Sequence, residues 1–350
     1  VNASIPTSSL IHWIRFSNKI MGSSEYSLGK VFLSYKDGLV LRATDGCLTS
    51  WVRLGKSEPF QGEIPLPLKI VRGFLIGEKS LYINLRFQGD MVELQNDNEI
   101  LRMKISQPEP RQRMLPYRQV SALQQRKIRN GIDFVTAHQE EGDFLRISTS
   151  SDTLLFWGQS HSMTTVCSYK VDNTLKMCFS IPYASCRHIV KALEIHNINE
   201  KMILGVSKEK LSLIHPDFAM EVCGEPQCPG IQEVRRAVIS KAHETLSFSA
   251  KEFSNYVSRA ASVTPRDTTI SIVRRGKILR FYSSKGSLQY TAQIDVPHGR
   301  SFRTEVSAHR LRTALSRMRS KYVLFEVLGD SLRLKNTKGT RFIFLNLLSL

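Results

Sequence analysis

An internal repeat constrains this chain more than any single motif. Residues 301–350 read as a strand at 302–306, a helix at 308–319 and strands at 322–328, 332–335 and 342–347. The helix carries Leu311, Ala314, Leu315 and Met318 at the i, i+3, i+4, i+7 spacing of one buried stripe. Its other face holds His309, Arg310, Arg312, Ser316, Arg317 and Arg319, with no acidic residue among them. Gly329-Asp330 and Thr337-Lys338-Gly339 supply the turns. The same order of strand, helix and three strands recurs about six times along the chain, and a repeat of this size sets the fold before any motif does.

The first copy occupies 2–54, with a helix at 8–21 (Leu10, Ile14 and Met21 inward) and strands at 30–35, 39–43 and 47–54. The second occupies 60–105, with a helix at 65–76 carrying Leu68, Val71 and Leu75; Pro65 suits a first helical position, where no amide donor is needed. In the third, 113–169, the helix is placed at 117–130, and Gln124 and Lys127 interrupt its stripe. The fourth, 175–223, has a helix after Pro182 with Cys186, Ile189, Val190 and Leu193 inward. The fifth, 245–296, sets Phe253, Tyr256, Val257 and Ala260 on one helix face.

Proline-bearing segments at 107–110 and 224–230 read as linkers. Six copies taken in pairs predict three similar domains, 1–108, 112–225 and 231–350, in an α+β fold of antiparallel sheets and helices. Strand edges left over must be covered, charged or paired, and pairing them across domains and across a second chain closes a ring without free edges.

The charge points to a partner. Lys plus Arg number 49 against 31 Asp plus Glu, a net +18, and such a balance favours nucleic acid first and an anionic membrane surface second. No apolar run approaches the ~20 residues that span a bilayer, and no basic segment with an apolar stretch opens the chain. The expectation is a soluble cytoplasmic protein with no membrane partner. The six cysteines are scattered and read as buried free thiols of a reducing compartment. Cys223-x4-Cys228 has no second Cys or His pair at ligand spacing, so no metal and no cofactor are expected. Phosphate-binding loop, nucleophile elbow and zinc-protease motifs are all missing, and Asp45 reads as turn chemistry, so no enzyme is expected.

Local sequence then narrows the fold. Leu39-Val40-Leu41-Arg42-Ala43-Thr44-Asp45-Gly46 resembles the strand and Ala-Thr-Asp-Gly turn in the first domain of the bacterial DNA polymerase III beta subunits, the beta sliding clamps. The stretch 60–77 resembles the second half of that domain. Gly224-Glu225-Pro226 through Cys228-Pro229-Gly230-Ile231-Gln232-Glu233-Val234 is similar to the family's linker into its third domain. The resemblance runs over nearly the whole length and is one of pattern more than identity, so it implies a divergent member. It implies a DNA-clamp fold with sheets outside and helices lining a ring, built as a head-to-tail homodimer that encircles duplex DNA and tethers a DNA polymerase. Topological linkage then replaces affinity, and the inner helices need only weak phosphate contacts.

Candidate DNA-facing residues lie on the helix sides opposite the apolar stripes: Arg15 and Lys19; Lys69 and Arg72; Arg126, Lys127 and Arg129; Arg187 and Lys191; Lys251 and Arg259; Arg310, Arg312, Arg317 and Arg319. The resemblance further implies an apolar pocket for short peptides of polymerase and clamp loader, at positions matched here by His161, Met163, Pro229, Val234, Phe344, Asn346, Leu347, Leu348 and Leu350. Departures stand beside it. Gly158-Gln159-Ser160-His161 replaces Thr-Asp-Gly-His, Ser162 stands where arginine is usual, and Leu347-Leu348-Ser349-Leu350 replaces a Pro-Met-Arg-Leu ending, which implies altered peptide specificity. Family members are generally acidic overall, so +18 places base outside the hole as well, as a phage-encoded or otherwise specialised clamp would. The alternative is a clamp-fold, DNA-bound adaptor for transcription or repair.

Overall fold

A computed structural model of the chain describes residues 2–21, 29–105, 109–150, 152–160, 162–172, 175–263 and 269–348. The six-copy repeat is present. The first module is β1 (Asn2–Pro6), α1 (Thr7–Met21), β2 (Lys30–Tyr35), β3 (Leu39–Thr44) and β4 (Leu48–Gly55); the second is β5 (Glu63–Pro67), α2 (Leu68–Phe74), β6 (Tyr82–Gln88), β7 (Met91–Gln95) and β8 (Ile100–Lys104). The third is β9 (Arg118–Gln124), α3 (Gln125–Val135), β10 (Phe144–Ser150), β11 (Thr153–Ser160) and β12 (Met163–Lys170), with a short 3-10 turn at Thr136–His138. The fourth is β13 (Met177–Pro182), α4 (Tyr183–Ile195), β14 (Lys201–Val206), β15 (Lys210–Ile214) and β16 (Phe218–Cys223). An extra helix, α5 (Ile231–Ile239), precedes the fifth module of β17 (Glu244–Ser249), α6 (Ala250–Val263), β18 (Thr269–Arg275), β19 (Ile278–Lys285) and β20 (Leu288–Asp295). The sixth is β21 (Phe302–Ser307), α7 (Ala308–Ser316), β22 (Tyr322–Val327), β23 (Ser331–Asn336) and β24 (Arg341–Leu348).

Paired modules exchange their leading strands. β1 pairs with β6 while β5 pairs with β2; β9 pairs with β14 while β13 pairs with β10; β17 pairs with β22 while β21 pairs with β18. All these ladders are antiparallel. The exchange leaves neither module of a pair with a complete sheet of its own, which couples the folding of the two.

Compact packing divides the chain into two units. The first, Val1–Arg129 with Ala184–Glu225, holds a four-stranded sheet in the order β1-β6-β7-β8 and an eight-stranded sheet in the order β5-β2-β3-β4-β16-β15-β14-β9. The second, Asn130–Tyr183 with Pro226–Leu350, holds one twelve-stranded sheet. There β24 joins the run β13-β10-β11-β12 to two branches, β23-β22-β17 and β21-β18-β19-β20. Among the described residues no helix is long and apolar enough to cross a membrane.

Several boundaries differ from the sequence reading. The second helix begins at Leu68, not at 65, because Pro65 is held in β5 opposite Phe32 of β2. The prolines at 65 and 67 push Ile64 and Leu66 toward extended backbone, which favours strand over helix. The span 117–130 divides into β9 and α3, since β9 is drawn into the sheet by β14. The interruption at Gln124 marks that junction: the next residue, Gln125, is buried, donates its amide to Leu193 O (3.2 Å) and accepts from Ile198 N (2.8 Å). The last helix stops at Ser316, leaving Arg317 as its cap and Arg319 in left-handed backbone at φ 50°. Residues 231–234, which match the end of the family's linker, open α5 at the expected start of the third domain, behind Gly230 at φ 80°. Gln107 and Pro108 of the first linker lie outside the described residues.

Two further expectations resolve locally. Asp45 does serve its turn, its Oδ1 accepting from Cys47 N (3.0 Å) and Leu48 N (2.6 Å). Four cysteines stand outside any disulfide, Cys167 and Cys186 buried as expected and Cys47 and Cys223 half-buried. Cys178 and Cys228 are instead joined in a disulfide that ties β13 to the segment before α5. Spacing in the sequence carried no sign of this pair, because the two meet only through the fold.

Candidate nucleic-acid interface

Each module helix lays its apolar stripe on a sheet, and this fixes which side chains face away. In α1 the buried set includes Leu10, Trp13, Ile14 and Phe16, so Arg15 is exposed and Lys19 half-buried. In α2, Leu68 and Val71 are buried while Lys69 and Arg72 are exposed; Arg72 Nη1 donates to Asn18 Oδ1 of α1 (3.1 Å). In α4, Cys186, Ile189, Val190 and Leu193 go inward as expected, leaving Arg187 and Lys191 exposed one turn apart on the same side. Arg126 and Lys127 of α3 are exposed, and Arg129 is half-buried with its Nη1 3.4 Å from Asn197 Oδ1. Lys251 and Arg259 of α6 are exposed beside a buried stripe of Phe253, Val257 and Ala260. Within these five helices and α7 the acidic residues are Asp133, Glu194 and Glu252, so the outward sides carry an excess of positive charge.

The α7 region departs from that pattern. Arg310 is 17% exposed and pairs with Glu140 at 2.8 Å. Arg317 Nη1 reaches both Asp133 Oδ1 (3.0 Å) and the carbonyl of the same residue (2.7 Å). Arg319, beyond the helix end, donates to Asn130 Oδ1 (2.8 Å), and Arg312 Nη2 lies 3.2 Å from His309 Nδ1. The absence of acid within the helix sequence is real, but Glu140 and Asp133 arrive from elsewhere in the chain. Two of these four arginines are thus neutralised by carboxylates, and a paired guanidinium has less field to offer a phosphate. Behind them Arg341 donates to the carbonyl of Arg317 and stands 5.4 Å over the ring of Phe134.

The peptide-pocket residues divide by depth. Met163 is buried in β12 opposite Leu345 of β24. Val234 of α5 and Phe344 of β24 are buried in one apolar cluster with Trp157, Val166, Cys228 and Phe342, which α5 covers. Pro229 and Asn346 are exposed, Leu347 is half-buried and Leu348 is 44% exposed, so these four form the accessible part. His161 and Leu350 lie outside the described residues.

One constellation was not legible in the sequence. His196, after α4, and His215 and Asp217, in the turn between β15 and β16, bring potential ligand atoms within 4.8 Å of one another. Burial first, then the neighbouring His12 and His215, hold the His196 imidazole down to about 4, so it is neutral near pH 7. His196 lies far from the other two in sequence, and only His215-Pro216-Asp217 gave a local hint.

No family model matches the sequence, and no curated protein sequence does. Solved structures match it over its full length. The DNA polymerase III subunit beta from Pseudomonas aeruginosa superposes with a TM-score of 0.85 at 12% identity, covering 100% of both chains. A sliding clamp (DNA polymerase III subunit beta) of the same organism, bound to griselimycin, gives 0.83 at 13% identity, covering 100% of this chain and 99% of that one. A putative DNA polymerase III beta subunit from Eubacterium rectale gives 0.84 at 10% identity, with 100% of each chain covered. The chain therefore has the fold of the beta sliding clamps, at an identity that marks it as divergent from them.

Proposed function

We propose that this chain is a DNA sliding clamp, a non-enzymatic ring subunit that encircles duplex DNA without reading its sequence and tethers a DNA polymerase. The observation that carries this reading is the repetition of one design: module helices whose buried stripe lies on a sheet and whose other side is basic, in a chain that shares the clamp fold end to end. Loose, interchangeable phosphate contacts suit a sliding contact, and the exposed pairs Arg187 and Lys191, Lys251 and Arg259, and Arg126 and Lys127 are its first candidates.

In this reading the domains are 1–108, 112–225 and 231–350, and two copies assemble head to tail. Among the strands at the sheet ends, β8 and β20 are the natural seam. Ile100 at the start of β8 is 50% exposed and Leu288 at the start of β20 is 58% exposed, as side chains awaiting a partner would be. Polymerase and clamp-loader peptides dock on the accessible part of the pocket, at Pro229, Asn346, Leu347 and Leu348.

Retention on DNA of two topologies tests the reading. A clamp stays on nicked circular DNA once loaded and runs off the same DNA when it is linearised. Equal retention on both favours the DNA-bound adaptor, a reading to which the carboxylate-paired Arg310 and Arg317 lend some support.

A further inference from the structure

We propose that His196, His215 and Asp217 form a binding site for a divalent transition-metal ion of the zinc type, with Glu200 and His12 engaging the second nitrogen of each histidine. The reading is independent of the clamp function. All five residues belong to the unit of Val1–Arg129 with Ala184–Glu225.

The geometry assigns one nitrogen of each histidine to the metal. His215 Nε2 is 2.9 Å from Glu200 Oε2, and its Nδ1 accepts from the backbone N–H of Asp217 at 3.2 Å. Nδ1 therefore carries the lone pair, on the side where Asp217 Oδ2 stands 3.6 Å away. Ligation replaces that backbone contact. His196 presents the mirror case, with Nδ1 3.0 Å from His12 Nε2 and Nε2 3.8 Å from Asp217 Oδ2. That Nε2 is buried and has no hydrogen-bond partner, an unusual state for a ring nitrogen and one that a metal would end.

Distances fit the ion. With metal–ligand bonds of about 2.0–2.2 Å, tetrahedral neighbours stand about 3.3–3.6 Å apart. The two separations from Asp217, 3.6 and 3.8 Å, need a few tenths of an ångström of closure, and the two histidine nitrogens, within 4.8 Å of one another, supply the larger part of the adjustment on binding. Two imidazoles with one carboxylate select zinc, nickel or cobalt over magnesium or calcium, which take oxygen sets. The second nitrogen of each histidine is already engaged, by Glu200 and by His12, as the outer partners that fix tautomer and ring orientation in metal sites. The rings are also held in place: Trp13 stacks on His196 at 4.7 Å and Phe218 meets it edge-on at 5.2 Å. An entry path exists, since His215 and Asp217 line a cleft of about 570 Å3 and Asp217 is 57% exposed. The fourth position would face that cleft and take water.

Such an ion would tie the end of α4 to the β15–β16 turn beside α1. The test is Co2+ titration of the chelator-treated full chain, followed by displacement with Zn2+. One Co2+ per chain should bind with visible d–d bands and no thiolate charge-transfer band, and Zn2+ should abolish the colour. Asp217→Asn and His196→Gln should each weaken binding more than tenfold, and Glu200→Gln by roughly 10- to 100-fold. Because Asp217 is largely exposed, its variant keeps the fold. Absence of the visible bands, a thiolate band that moves the ion to Cys47 and Cys223, or unchanged affinity in Asp217→Asn would each overturn the site.

Discussion

Arg333 of β23 and Glu326 of β22 lie side by side in the interior, with Nε to Oε2 at 2.5 Å and each side chain 5% exposed. The remaining guanidinium nitrogens cap a helix. Nη1 donates to the carbonyls of Ala237 (2.7 Å) and Val238 (3.0 Å), and Nη2 to that of Ser240 (2.9 Å), so the last turn of α5 ends on Arg333. One buried charge thus satisfies a carboxylate and three helix-terminal acceptors at once, and α5 is the lid over the Val234 and Phe344 cluster.

Removing that guanidinium leaves the buried Glu326 carboxylate with Lys335 as its remaining cation and orphans three carbonyls. Arg333→Met should lower unfolding stability by about 3 kcal/mol, measured by urea denaturation. The double variant Arg333→Met with Glu326→Leu should recover part of the loss, because the buried acid is gone and the partly exposed Lys335 can turn to solvent. A single variant within about 0.5 kcal/mol of the parent would show the pair to be incidental.

Acid should weaken the chain through His138. Its side chain is 2% exposed, with Nδ1 3.3 Å from Thr165 Oγ1, and burial first, then the Arg310 guanidinium, hold its imidazole down to about 3. The folded value lies below the ordinary 6.5, so between those two pH values the unfolded chain binds more protons. Stability is therefore intact above 6.5 and declines as pH falls toward 3, by up to about 1.4 kcal/mol per pH unit. His138→Asn should flatten that part of the stability curve, and an unaltered slope would assign the acid sensitivity elsewhere.

Positive charge at two places should behave differently on mutation. Arg187→Ala with Lys191→Ala removes exposed groups, so melting should hardly move while the slope of log affinity for DNA against log salt falls by about 1 to 2. Arg317→Ala breaks the contacts to Asp133 and should lower the melting temperature by several degrees, with little change in the salt slope. Reversal of the two outcomes would move the DNA-facing surface toward α7.

Assembly should fail when the exposed strand ends are charged. Ile100→Asp or Leu288→Asp places an acid on an edge proposed to pair, so sedimentation should report monomers where the parent chain forms dimers. Dimers of unchanged stability in both variants would put the seam elsewhere.

Packing at one glycine should also show in stability. A Cβ at Gly131 would sit 2.9 Å from Phe156 Cδ2 and 3.2 Å from Tyr169 Cε2. Gly131→Ala in α3 should therefore destabilise by roughly 1–3 kcal/mol in a urea melt, despite alanine's better helix propensity. A gain in stability would mean that the two rings yield freely.

Local periodicity and turn chemistry, by themselves, determined the six modules. A helix stripe such as Cys186, Ile189, Val190 and Leu193, or a turn such as Asp45-Gly46, is written in neighbouring residues and forms wherever the rest of the chain goes. The sequence erred where neighbours compete: Pro65 favours a helix start until β2 claims it for a ladder, and 118–124 could continue a helix until β14 pairs with it. Tertiary structure alone decided which strands exchange between modules, that Glu140 and Asp133 neutralise Arg310 and Arg317, that Cys178 meets Cys228, and that His196 faces His215 and Asp217. Those contacts join residues far apart along the chain, where no spacing rule operates, and they exist only once the sheets have brought the partners together.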